Sequence, residues 1–169
     1  MGDHPHHAVP DPTPAQVHAH AAAARARKRA EAEAQGIDAA FIDSLVENFY
    51  TRIRADQMLG PIFTARITDW PLHLGRMKAF WRSILHNSGD YAGNPMAKHI
   101  AIPGLDAAHF AHWLNLFYET LTALEASSEG RRQVGKRARM IADSLLTGIA
   151  VQRDGLSGAR AGEDLPHLR

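Results

Sequence analysis

Eleven histidines and no cysteine set the terms for any metal or redox chemistry in this chain. Without thiols there is no disulfide, no iron–sulfur cluster, no thiolate ligation and no cofactor attachment through a C-x-x-C-H motif. A transition metal would have to be held by His, carboxylate, Tyr or Met, so the histidines need sorting. His99 stands inside "NPMAKHIAIPG", residues 94–104. Asn94 is a natural N-cap, Pro95 suits the first helical position, and Pro103-Gly104 stops the helix after roughly two turns. Such a segment buries too little to stabilise itself. It can, however, present one imidazole at about 2 Å from a metal in a fixed ring orientation. The alternative is a histidine that caps a loop.

His73 shares a helical face with Met77, Phe80, Trp81 and Ile84. A lone histidine on such a face is usually a core residue with a satisfied hydrogen bond; the large aromatic neighbours leave packing against a flat cofactor as the alternative. His109 and His112 stand three apart, a spacing that binds metals when two further ligands converge. None is evident nearby, and the pair otherwise flanks the apolar face of Phe110 and Trp113. His86 falls at a helix C-terminus, where an imidazole complements the macrodipole in a structural role. His4, His6, His7, His18 and His20 lie in a polar N-terminal stretch, as solvated side chains or a weak metal patch, and His167 lies in the opposite tail.

These residues need helices to position them. "AAFIDSLVENFYTRIRAD" repeats Phe41, Leu45, Phe49 and Ile53 every four residues and predicts a core-facing helix over about 38–55. A loop containing "LGPIF" follows. Asp69 caps a helix reaching about 87, whose buried face includes Trp70, Leu74, Met77, Trp81 and Ile84. After the short His99 helix, Asp106 caps a helix over about 107–125, with Phe110, Trp113, Leu114, Phe117, Leu121 and Leu124 on one face. The last helix spans about 130–152 through Val134, Ala138, Ile141, Leu145 and Ile149. No segment alternates with period 2, so the fold class is all-α.

Residues 1–36 are expected to form a polar, Ala-rich extension, disordered at first and then a solvated helix ended by Gly36. The domain proper is 37–152, and 153–169 reads as a disordered tail. At 169 residues, 45% hydrophobic and 22% charged, this is an ordinary single soluble domain. A net charge of +1 predicts no nucleic acid partner, and no apolar run approaches the ~20 residues of a membrane span. The N-terminus lacks a signal-peptide core, so the expected location is cytoplasmic.

Five fragments, "ENFYTRI", "DQMLGPIF", "WPLHLGRMKAFW", "GDYAGNPMAKH" and "HFAHWLNLF", occur in an order and spacing that resembles the truncated haemoglobins, specifically group III. The resemblance covers about residues 38–150. It implies a two-over-two helical sandwich around a non-covalent haem b, with the N-terminal helical extension as an addition to the family pattern. Carried over residue by residue, His99 is the iron ligand; Tyr50, His73 and Trp113 lie on the distal side, stabilising a ligand or gating access; Phe63 packs on the haem edge. The chain has no Gly-Gly dipeptide, consistent with group III. Met77, Phe80, Trp81 and Phe117 then supply apolar contacts to the porphyrin, and Arg76 and Lys98 are candidates for its propionates.

The resemblance implies binding of O2, NO and CO at a five-coordinate iron in a polar pocket. Its use would be NO dioxygenation or peroxidase-like chemistry with electrons from an external reductase; the alternative is an O2 sensor or store without turnover. A monomer or weak homodimer is expected. A third reading drops haem and makes the chain a helical interaction protein using the basic stretch "EGRRQVGKRAR", although a solvated face explains those charges.

Overall fold

A computed structural model describes residues 11–155 and 160–169. Among the described residues seven helices run in chain order: α1 Pro14–Ala34, α2 Ala39–Ala55, α3 Gly60–Thr64, α4 Trp70–His86, α5 Pro95–Ile100, α6 Ala107–Thr122 and α7 Ser128–Asp154. There is no strand among the described residues. None of these helices is long and apolar enough to cross a membrane.

Two helix pairs, α2 with α4 and α6 with α7, meet through α2 and α6. The four-residue repeat of α2 drives this: Ile42, Leu45, Phe49 and Ile53 are almost fully buried, opposite Leu114, Phe117 and Leu121 of α6 and Val134 and Ile149 of α7. Polar side chains start the helices where orphan N–H groups need acceptors. Asp38, Asp69, Asn94, Asp106 and Ser127 all act as N-caps. The short α5 packs on α7.

Three expectations need correction. "LGPIF" is not a loop but the one-turn helix α3, because Asp56 accepts from the N–H groups of Met58 and Leu59 and winds the chain toward it. On α4, Trp81 is buried, but Trp70, Leu74, Met77 and Ile84 are only half-buried. The C-terminal tail is not disordered over residues 160–169. There Leu165 is buried, the Tyr118 hydroxyl donates to the Pro166 carbonyl at 2.8 Å, and the Arg139 guanidinium donates to the carbonyls of Gly162, Glu163 and Leu165. Leu168 lies over Gly135, where a β-carbon would crowd it. Composition alone misreads this segment because its seat is made by residues of α6 and α7.

The N-terminal extension has no buried residue within α1, yet its C-terminal end is anchored. Gly36 adopts φ 81° and ends the helix as expected. Ser127 donates from its backbone to Gln35 O at 3.1 Å, and the buried His86 ring donates from Nε2 to Ile37 O at 2.7 Å. His4, His6 and His7 lie outside the described residues, and His18, His20 and His167 are exposed.

Candidate functional site

His99 is the second-to-last residue of α5, one turn after Pro95. Its Nδ1 lies 2.7 Å from the Pro95 carbonyl, four residues earlier. A carbonyl only accepts, so Nδ1 carries the hydrogen and Nε2 keeps a free lone pair. Burial lowers the His99 pKa from its ordinary value, opposed by the Pro95 hydrogen bond. The ring is therefore neutral near pH 7, oriented, and basic at Nε2, which is what a metal asks of an imidazole. Phe110 lies beside it, ring centroids 6.4 Å apart.

His73 lies near the start of α4. Its Nε2 is buried without a hydrogen-bond partner among the described residues. Ordinary core histidines are satisfied, so an orphaned ring nitrogen points to a group that completes it. Burial lowers the His73 pKa, and the charges of Lys98 and Arg76 lower it further. Those two cations, one on α5 and one on α4, thus stand close enough to act on the same imidazole, and both are exposed.

Tyr50 faces His73 edge-on at 5.0 Å between centroids. Phe63 of α3, at 5.8 Å, and Trp70, at 6.3 Å, also pack on the Tyr50 ring. Burial pushes the Tyr50 phenol well above its ordinary pKa, and Tyr91 adds to that. It remains a neutral O–H, a donor, at any physiological pH. Phe49, its neighbour in α2, meets Trp113 edge-on at 5.3 Å, and Trp113 stacks on Phe117 at 5.4 Å. Trp81 stacks on Phe117 as well, at 5.1 Å, and Phe80 packs on Trp81 and Tyr91. Met77, Phe80 and Trp113 are half-buried, whereas Phe117 is fully buried.

The other histidines are drawn away from this cluster. His109 bonds to Asp106 at the start of α6, and His112 bonds to Asp56 at 2.6 Å. The two do not share a ligand site, and among the described residues no group of three His, Asp or Glu is arranged to hold a metal ion. Sequence alone assigns no role to Asp56 or Tyr91, and gives Trp70 only a place on the buried face of α4. Asp56 carries a local signal, an Asp two and three residues ahead of the amides it caps; Tyr91 comes to the cluster through tertiary packing.

The family described as bacterial-like globin matches residues 33–146, more than half of the chain. The chain belongs to that family. Within it, this globin is 36% identical over 110 residues to the group 3 truncated hemoglobin ctb of Campylobacter jejuni, an alignment covering 63% of this chain and 86% of that protein. The crystal structure of group III truncated hemoglobin from Campylobacter jejuni superposes with a TM-score of 0.63 at 35% identity, covering 67% of this chain and 91% of that one. The 2/2 hemoglobin from Synechococcus sp. PCC 7002, solved in the cyanomet state with covalently attached heme, shares the fold with a TM-score of 0.57 at 23% identity, over 66% of this chain and 91% of that one. The globin is thus a truncated haemoglobin of the group III kind, with the two-over-two architecture. Membership implies haem with its iron, and a diatomic gas as the ligand.

Proposed function

We propose that this truncated globin holds haem b non-covalently between α4 and α5, with His99 as its iron ligand and Tyr50, His73 and Trp113 on the opposite, gas-binding side. The observation that carries the reading is the pairing of two imidazoles with unused nitrogens: His99 with a free Nε2 lone pair, and His73 with a buried, unpartnered Nε2. The residues fit the group. Met77, Phe80 and Trp113, half-buried, offer apolar and aromatic surface to a flat ring, with Trp81 and Phe117 behind them. Phe63 closes the edge beside Tyr50, and Arg76 and Lys98 answer the propionates. With no cysteine in the chain no thioether link can form, and apolar packing together with His99 would hold the cofactor.

When bound, haem would supply an iron able to take up a gas and share electron density with it. The chain supplies the rest. Tyr50 donates its O–H and Trp113 its indole N–H toward a gas that takes on negative character, in surroundings of low dielectric that strengthen both. Each bond contributes about 1–3 kcal/mol when its acceptor is charged, so two together slow release by several orders of magnitude. His73, neutral and edge-on to Tyr50, either adds a third donor or swings to admit the gas. A pocket this polar suits redox use of O2 better than delivery.

The favoured reaction is NO dioxygenation, in which NO, O2 and one electron become nitrate, the electron coming from a separate reductase. A peroxidase-like use of the same donors is the neighbouring possibility. The basic stretch of α7 does not favour an interaction protein, since Arg131 donates to the carbonyls of Leu124 and Ala126, Arg132 pairs with Glu129, and Arg139 holds the tail. The test is rapid mixing of the O2-saturated ferrous protein with NO. Stoichiometric nitrate at a near diffusion-limited rate supports turnover; a slow reaction leaves an O2-binding module; a protein that takes up no haem ends the scheme.

A further inference from the structure

We propose that Asp56 and His112 form a positioning pair that sets where the Trp113 indole stands relative to Tyr50. The proposal rests on the reading of Trp113 and Tyr50 as donors to a bound gas, and adds to it the device that holds them in register.

Asp56 joins three of the elements that carry the site. As the C-cap of α2 it ends the helix that bears Tyr50, donating its backbone N–H to Ile53 O. Its Oδ1 accepts from Met58 N at 2.9 Å and Leu59 N at 2.8 Å, and its carbonyl accepts from Gly60 N at 3.0 Å, which builds the turn into α3 and so places Phe63. Its Oδ2 accepts from His112 Nε2 at 2.6 Å. His112 immediately precedes Trp113 on α6. One carboxylate therefore ties the helices of Tyr50, Phe63 and Trp113 to each other.

This is not an ordinary surface ion pair. The Asp56 side chain is only 15% exposed and the His112 side chain 35%. Exposed pairs lose most of their value to the cost of ordering two mobile side chains. Here the Asp56 side chain is already held at Oδ1 by two backbone amides, so its second oxygen is aimed before His112 arrives. A charge-assisted bond of this kind is both short and directional. Its effect is to restrict rotation and sliding of α6 against α2 at the turn that presents the indole. Phe49, edge-on to both Tyr50 and Trp113, transmits any shift of one ring to the other. Small displacements matter here because a hydrogen bond weakens steeply as its angle opens.

Two variants separate the positioning role from a merely structural one. Asp56→Asn keeps the oxygen that caps Met58 and Leu59 and removes the charge facing His112. His112→Phe keeps the ring's bulk and leaves the caps intact. The C–O stretch of the CO-saturated protein reports the polarity that the pocket turns on the gas, and O2 release reports how firmly the donors hold it. Both variants are expected to move the stretch in the direction that Trp113→Phe moves it, and to speed O2 release by about tenfold, the loss of one well-aligned bond. The double variant is expected to do no more than either alone, since both break one contact. In the haem-free protein, Asp56→Asn should also displace the indole 1H–15N signal of Trp113.

If both variants lower the unfolding midpoint while leaving the stretch and O2 release within about twofold of the parent, the pair is only a staple and the proposal falls. If Trp113→Phe itself leaves the stretch unmoved, the donor reading fails instead. The positioning claim is then decided by the indole signal alone, and an unmoved signal in Asp56→Asn overturns it.

Discussion

His99 Nδ1 and the carbonyl of Pro95 lie 2.7 Å apart within a six-residue helix, so the ring that faces the site is braced by the residue that starts its own helix. The brace is backbone and cannot be mutated away, but the ring can. His99→Gly is expected to abolish the Soret band of the reconstituted protein, with a loss beyond the roughly 100-fold that even outer-shell changes at metal sites produce. Added imidazole should restore the band, because the seat remains while the tether is gone. Retention of the band without imidazole would remove His99 from the iron.

Tyr50→Phe keeps the edge-on ring contacts to Phe49, Phe63, Trp70 and His73 and deletes only the hydroxyl. O2 release should accelerate by about tenfold or more while haem-free stability changes by less than about 1 kcal/mol. The raised pKa adds a signature. Above about pH 10 the unfolded phenol ionises while the buried one stays protonated, so the folded state holds the extra proton and stability falls as pH rises. Alkaline unfolding curves of the parent should show that fall, and Tyr50→Phe should flatten it.

His73 predicts the opposite dependence. Burial, then Lys98 and Arg76, hold its pKa below the ordinary value. As pH drops below about 6.5, the unfolded chain takes up a proton that the folded ring resists, so stability declines with acidification. Thermal unfolding of the haem-free protein should show a shallower acid slope in His73→Leu. Arg76→Ala should lessen the decline, and an unchanged slope in both variants would discard this account.

Gly130 sits where the start of α7 crosses the α1–α2 link, and a β-carbon there would come 2.7 Å from the Gln35 carbonyl oxygen. Backbone cannot swing aside as a side chain can, so Gly130→Ala should cost about 1–3 kcal/mol of unfolding free energy. Gly75, mid-helix in α4 with open space around it, is the control. Gly75→Ala should instead stabilise by about 0.5–1 kcal/mol. Calorimetry on the two variants compares them directly.

Arg139 holds the tail by three carbonyls, those of Gly162, Glu163 and Leu165. Arg139→Ala leaves those oxygens to water and unseats Leu165. Limited proteolysis should then cut within residues 160–169 well before the helices are attacked, whereas the parent resists at this segment.

Much of the architecture is written locally. Four-residue apolar repeats in α2 and α6, caps at Asp38, Asp69, Asn94, Asp106 and Ser127, and Pro95 with Pro103-Gly104 determine where helices begin, end and turn their faces, because propensity, capping and periodicity act over one or two turns. The ordered fragments around Tyr50, His73, His99 and Trp113 likewise identify the family before any contact is known. What the chain cannot state locally is who meets whom across long separations. The fold alone brings Asp56 to His112, 56 residues away, leaves His73 Nε2 without a partner, turns Nδ1 of His99 onto Pro95, and seats a polar tail on Arg139, Tyr118 and Gly135. Those outcomes depend on packing several helices at once, and a hydrogen bond or a buried orphan exists only when two surfaces have already met.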